Sequence, residues 1–384
     1  MLLRMALTFV TARQYLWLQR TGGYTLSIRA RASSSAATGQ PQFQHRNKLQ
    51  SQFIIYYNDV YEVNLPPNHR FPMKKYMQVR LKVQDVIQKR LGTQGVDDSS
   101  PNLHNCEFQV SPIATVDELV TTHCPKYVDR FLSGDQTKLE QRNVGFPWSP
   151  QGVDRALSSV GGTIAATMKV CAGIRLGTAE MTWAAHIAGG THHAFHDYGE
   201  GFCVFSDIAV AANVALQRFP DVVKRILIID LDVHQGNGNA KLFAGREEVV
   251  TFSMHCGENY FSPKESSDLD IELPAGCTDE TYLSTLQHWL KRIFSENGKY
   301  DLIFFQAGID ILSDDRLGRM NLSRRGIQRR NMMVFEYAER HSTPVVITMG
   351  GGYPRKDWDP IIEAHADVYL GAQRFLAQGI AYDS

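Results

Sequence analysis

Residues 225–238 read RILIIDLDVHQGNG. The run Ile226–Ile229 is short, wholly apolar and mostly β-branched, the composition of a strand buried on both faces, and it stops on Asp230, Asp232 and His234. A buried strand has no structural need for two carboxylates and an imidazole at its exit. Three more apolar runs, Val249–Phe252, Leu302–Phe305 and Val345–Thr348, are separated by helical patterns, notably Thr281–Phe294 and Arg324–Arg340. Strands alternating with helices predict an α/β fold: a central, mostly parallel twisted sheet covered by helices on both faces.

Upstream, Phe53–Tyr57 reads as another buried strand. FPMKKYMQVRLKVQDVIQKRLG (71–92) reads as a helix with Tyr76, Val79, Val83, Val86, Ile87 and Leu91 on one face and Gly92 as its stop. The polar GTQGVDDSSPN (92–102) is a loop. With no internal repeat and no second linker, residues 51–384 are expected to form a single domain.

The chain of 384 residues is 43% hydrophobic, enough for a large core, and its 40 basic and 40 acidic residues show no excess that would favour direct nucleic-acid binding. The balance hides an asymmetry. Residues 1–50 carry seven Lys or Arg and no acid, which leaves 33 basic against 40 acidic residues in the remainder. Such an Arg-bearing, Ser-rich, acid-free leader matches a transit peptide for a chloroplast or mitochondrion, the bland reading being a disordered basic tail. The acidic remainder would suit a basic, lysine-rich substrate segment. No stretch after the leader holds the roughly 18 uninterrupted apolar residues of a membrane span. Six well-separated cysteines without a C-x-x-C pair read as reduced core thiols.

Ligands of open parallel sheets bind beyond the carboxyl ends of the strands, where the exit loops converge. Three exits carry chemistry: Asp230, Asp232 and His234; QAGID, ending at Asp310; and MGGGYP, containing Tyr353. Asp232 and His234, two apart in an extended exit, face one side, and with Asp310 they offer an O/N donor set suited to Zn2+ or Fe2+ with positions left open. Any one of the three alone would read as a cap or a loop histidine. A second cluster, AGGTHHAFHDYGEGFCVFSD (188–207), places His192 and His193 between glycines, where imidazoles can carry protons. Gly350–Gly352 lack the G-K-[ST] of a phosphate loop, so they are read as a turn that lets the Tyr353 phenol face a developing oxyanion.

Taken in order, GGTHHAFHDYGEGFCVFSD, DLDVHQGNG, QAGIDILSDDRLG and GGGYP resemble the zinc-dependent histone deacetylase family of the arginase/deacetylase superfamily, over roughly residues 53–375. LPPNHRFPMKKY (65–76) and HQGNG look most like the class IV branch. The resemblance implies metal ligation by Asp232, His234 and Asp310. It implies general acid–base work by His193 with His192 as electrostatic partner, orientation of His192 by Asp230, and carbonyl polarisation by Tyr353. It also implies a substrate tunnel of Gly201 and Phe202 with Tyr260 or Phe261 opposite, and a structural monovalent cation, K+, at Asp230, Asp232, His234 and Ser253. Asn237 stands where many class I members have an Asp, which should leave His193 with a lower pKa.

The implied activity is removal of acetyl or longer acyl groups from lysines of histones or other proteins, and histone substrates would imply the nucleus or cytoplasm instead of an organelle. An acetylpolyamine amidohydrolase would use the same residues, and a catalytically silent scaffold would not need them. An arginase-like enzyme is disfavoured, since D-x-H-x-D would require an Asp where Gly236 stands.

Overall fold

Among the described residues, eight strands pair in parallel into one sheet: β1 (Phe53–Tyr57), β2 (Cys106–Val110), β3 (Ala184–His186), β4 (Ile226–Asp230), β5 (Val249–Cys256), β6 (Leu269–Leu273), β7 (Leu302–Gln306) and β8 (Val345–Thr348). Their spatial order is β2-β1-β3-β8-β7-β4-β5-β6. The α/β reading therefore holds, with every pairing parallel.

Why the central strands β4, β7 and β8 are apolar up to their last residue follows from the alternation of side chains along a strand. Leu227, Ile229, Ile303, Phe305, Val345 and Ile347 enter one core; Ile226, Ile228, Leu302, Phe304 and Val346 enter the other, on the opposite face. Helices Lys75–Thr93, Asp279–Glu296, Arg324–Arg340 and Asp359–Gln378 contribute to the first core. Pro150–Arg175 and Asp207–Arg218 contribute to the second. Burying one such aliphatic or aromatic side chain is worth roughly 1.5–3 kcal/mol, so a sheet covered on both sides gains from each of Ile226–Ile229 and Leu302–Phe305.

This computed structural model describes residues 53–67, 69–93, 106–177, 183–260, 262–296 and 298–378, all within one compact unit, Lys48–Ser384. The leader, and the transit-peptide reading with it, lies outside the described residues, as do most of the polar segment 92–102 and the side chain of Leu91. The helix expected over 71–92 begins at Lys75, with Tyr76, Val79, Val83 and Ile87 buried and Val86 partly so.

Three strands escaped the sequence pattern. β3 is three residues long, too short for periodicity, and β2 and β6 are edge strands whose exposed positions break the apolar run. One helix, Pro150–Arg175, is long and apolar enough by composition to cross a membrane. Here it packs against β1, β3, β8 and helix Asp207–Arg218 as a core helix. All six cysteines are free thiols.

Candidate active site

The order of the sheet places the exits of β3, β8, β7, β4 and β5 side by side, and each delivers part of one cluster. Ligand atoms of Asp232, His234 and Asp310 all lie within 4.8 Å of one another, and all three residues are buried. Each carboxylate is aimed by backbone amides. Gly351 N–H donates to Asp232 Oδ2 (2.8 Å) and Val233 N–H to Asp310 Oδ1 (2.9 Å), while Gln306 Nε2 also donates to Asp232 Oδ2 (3.0 Å). Gly351 is required by this closeness, since a Cβ there would lie 2.0 Å from Asp310 Oδ2.

The donor set fits a divalent cation on its own observations. Among the described residues Asp310 Oδ2 is buried without a hydrogen-bond partner, although His234 Nδ1 stands 3.3 Å away. Burial, and then the Asp232 carboxylate, raise Asp310 to about 6. Burial opposes a charged His234, but the adjacent Asp232 and Asp310 carboxylates outweigh it and lift the imidazole to about 10. Burial likewise opposes the Asp232 charge, yet His192 and His234 hold that carboxyl well below its usual range. Two buried carboxylates thus compete for positive charge, and two oxygens with one nitrogen form a donor set that a metal of borderline softness satisfies.

The loop after β3 brings in the paired histidines. Asp207, at the start of its helix, accepts from Gly190 N–H (3.1 Å) and Thr191 N–H (2.8 Å), and Gly238 N–H donates to His192 O (2.9 Å). The two rings lie 4.0 Å apart between centroids, yet their partners differ. His192 Nδ1 meets Asp230 Oδ2 at 2.7 Å; burial lowers its pKa, but Asp230 and Asp232 prevail and raise it to about 9. His193 Nδ1 meets Asn237 Oδ1 at 2.7 Å, and burial, then His192 and His234, push it well below its ordinary value. A buried neutral imidazole beside a charged one follows from burial and the two neighbouring imidazoles, the Asn237 hydrogen bond acting the other way.

Tyr353 is buried on the turn after β8. Burial, then Asp310 and Asp232, raise its pKa well above 10, so the phenol keeps its proton and can donate it in a hydrogen bond. Lys75 holds the turn, its Nζ donating to Gly350 O (3.3 Å) and Gly352 O (3.0 Å) and sitting 5.2 Å from the Tyr353 ring centroid. His193, His234 and Tyr353 line a cavity of about 760 Å3 together with Gly201, Phe202 and Tyr260.

Phe202 adopts φ 68°, rare for a side chain of this size, and packs on Phe71 (5.1 Å) and Phe146 (5.4 Å). Opposite it, Tyr260 stacks on His193 at 4.2 Å and 10°. Phe261 lies outside the described residues. At the mouth, Arg70, Arg142 and Arg319 are exposed beside, among the described residues, a single acid, Glu258. The net acidity that suggested a basic substrate is therefore not the charge the opening presents.

The register of β4 and β5 pairs Asp230 with Ser253, which puts the four residues expected around a monovalent cation on adjoining backbone. Two participants were not anticipated from the sequence. Lys75 could have been noticed as a cation on the buried face of its helix, next to Tyr76. Glu200, buried behind Asn237, could have been noticed as an acid wedged between Gly199 and Gly201.

Comparison with known proteins agrees with this architecture. A family model described as histone deacetylase domain matches residues 78–369. An uncharacterized protein of Picosynechococcus sp. is 39% identical over 323 residues, covering 84% of this chain and 98% of its own. Histone deacetylase 2 of Arabidopsis thaliana is 35% identical over 218 residues, 56% of this chain and about half (51%) of that protein. A crystal structure of an HDAC homolog complexed with SAHA superposes with a TM-score of 0.65 at 22% identity, over 87% of this chain and 86% of that one, a likeness of fold. With a fold, a buried Asp-His-Asp cluster and a family match across most of its length, this chain belongs to the histone deacetylase domain family.

Proposed function

We propose that the protein is a metal-dependent amidohydrolase that removes acetyl or longer acyl groups from lysine side chains of proteins. The observation that carries this reading is the joint lining of one cavity by His193, His234 and Tyr353, with Asp232 and Asp310 close enough to His234 to share an ion. A divalent cation held by Asp232, His234 and Asp310, zinc by donor preference and Fe2+ as the alternative, would polarise the amide carbonyl and acidify water.

The chain's own groups supply the proton chemistry. With Nδ1 engaged by Asn237, His193 presents Nε2 to accept a proton from the attacking water. The Tyr353 hydroxyl donates to the oxyanion that develops on the carbonyl, an interaction stronger in the transition state than in the bound substrate. The imidazole then returns its proton to the departing lysine amine, and the products are a free lysine and a carboxylic acid. His192, charged against Asp230, keeps positive charge behind the site without consuming the base.

Three arginines at the mouth disfavour a polycation, so acyl-lysine in a segment with acidic neighbours fits better than an acetylpolyamine. The same reading places K+ at Asp230, Asp232, His234 and Ser253, assigns the chain to the class IV branch on LPPNHRFPMKKY and HQGNG, and takes the leader as an organellar address, which N-terminal sequencing of the cellular protein tests. Metal-loaded protein should hydrolyse acyl-lysine peptides in a screen of increasing chain length, outcompeting acetylpolyamines. His193→Ala and Tyr353→Phe should each lower kcat roughly 100-fold or more. Parental rates in both variants would end this proposal, and a protein that takes up no divalent ion would end it in favour of a scaffold.

A further inference from the structure

We propose that Glu200 is a positioning residue which, through Asn237 and Tyr260, holds His193 in its proton-accepting orientation. The inference rests on the hydrolase reading above and goes beyond it. Glu200 is 7% exposed, and among the described residues no Lys or Arg forms an ion pair with it. Three neutral donors satisfy it instead: Asn237 Nδ2 (3.0 Å) and Tyr260 OH (3.2 Å) on Oε1, and Ser262 Oγ (3.2 Å) on Oε2. A buried carboxylate without a countercharge is costly, and a fold that keeps one has placed a negative charge deliberately close to its site.

The hydrogen-bond chain has only one consistent sense. A carboxylate can only accept, so Asn237 must turn its NH2 towards Glu200 and its Oδ1 towards His193. An amide oxygen can only accept, so the proton of a neutral His193 sits on Nδ1 and the lone pair is left on Nε2, the atom the reaction needs. Gly238 N–H also donates to Asn237 Oδ1 (3.0 Å) and supports the same orientation. Glu200 adds charge, polarising the amide so that Oδ1 becomes a better acceptor as the imidazole gains its proton. Through its other donor it anchors the phenol ring that stacks on His193, so one carboxylate restrains that imidazole both in its plane and across its face. The carboxylate that His192 meets directly is, for His193, set one amide further back.

A double-mutant cycle at 200 and 237 tests this. Glu200→Gln removes the charge while keeping a hydrogen bond, and kcat should fall about fivefold with KM within about twofold. Asn237→Asp alone turns the 3.0 Å contact into two facing carboxylates, and kcat should fall more than about tenfold. Together the substitutions should recover to within about threefold of the parent, because the new amide donates to the new carboxylate, which accepts directly from His193. A merely structural role predicts losses that multiply.

Imidazole 15N shifts of His193 in the metal-free protein supply a second readout. They should report the Nδ1–H tautomer in the parent and the double variant and a mixture in Glu200→Ala. A parental kcat in Glu200→Gln, or multiplying losses in the pair, overturns the inference. Should either single variant fail to fold, a folded, active double variant still supports it and an inactive one refutes it. If the parent hydrolyses no acyl-lysine peptide, the function proposed above falls, and the 15N readout alone decides the role of Glu200.

Discussion

The floor and the mouth of the cavity are built from opposite materials. At the floor, Asp232, Asp310, His192, His193 and Tyr353 are each less than 10% exposed, and Asp230, Asp232 and Asp310 each accept a hydrogen bond from a named neighbour. At the mouth, Arg70, Arg142 and Arg319 reach into solvent with one acid among them. A pair of charges a few ångströms apart interacts several-fold more strongly in a buried environment than in water, where salt screens it further. The floor should therefore decide whether the reaction occurs, and the mouth only which peptides are preferred.

The most severe way to break the floor is Asp310→Asn, which removes a ligand oxygen, Oδ2, that has no hydrogen-bond partner among the described residues. Saturating zinc at a thousandfold excess over its Kd should stabilise the parent by about 4 kcal/mol, and this gain should largely vanish in the variant. Turnover should fall roughly 100-fold or more, with metal content measured on the same samples. Equal metal content and equal thermal shifts in both proteins would remove Asp310 from the ion.

A subtler break is Gly201→Ala. Gly201 sits at φ 57°, and a Cβ there would lie 2.6 Å from Tyr260 OH and 2.8 Å from His193 Cδ2. The backbone alone should cost about 1–3 kcal/mol, and displacement of His193 should lower kcat about tenfold. A thermal melt with steady-state kinetics checks both; a destabilised variant with parental kcat would mean that the close packing around His193 is irrelevant to its chemistry.

The smallest effects belong to the mouth. Arg70→Ala, Arg142→Ala or Arg319→Ala should raise KM about two- to fivefold for acyl-lysine peptides with acidic flanks, leave kcat alone, and lose the effect above roughly 0.5 M salt. Effects on kcat, or effects indifferent to salt, would blur the distinction between the two regions.

The fold was legible where the chain repeats a simple period. Ile226–Ile229, Leu302–Phe305 and Val345–Ile347 are apolar at every position because both faces of the sheet are covered, and that requirement is written in consecutive residues. β2, β3 and β6 were not legible, because an edge strand satisfies fewer neighbours and three residues cannot display a period. At the site, residues of reactive type at strand exits could be named in advance. The φ of Phe202 could not, nor could the reach of Lys75 across 277 positions to Gly352.

By itself, then, the sequence determined the alternation of strands and helices and the chemical type of each exit, since each is a property of adjacent residues or of one side chain. Only the tertiary structure decided that β7 and β8 insert between β3 and β4, that three ligand atoms fall within 4.8 Å, and that Glu200 stands behind Asn237. The physical reason is range. Backbone periodicity acts over a few residues, whereas hydrogen bonds and charges act through space, and which groups meet is settled by how the sheet is ordered and packed.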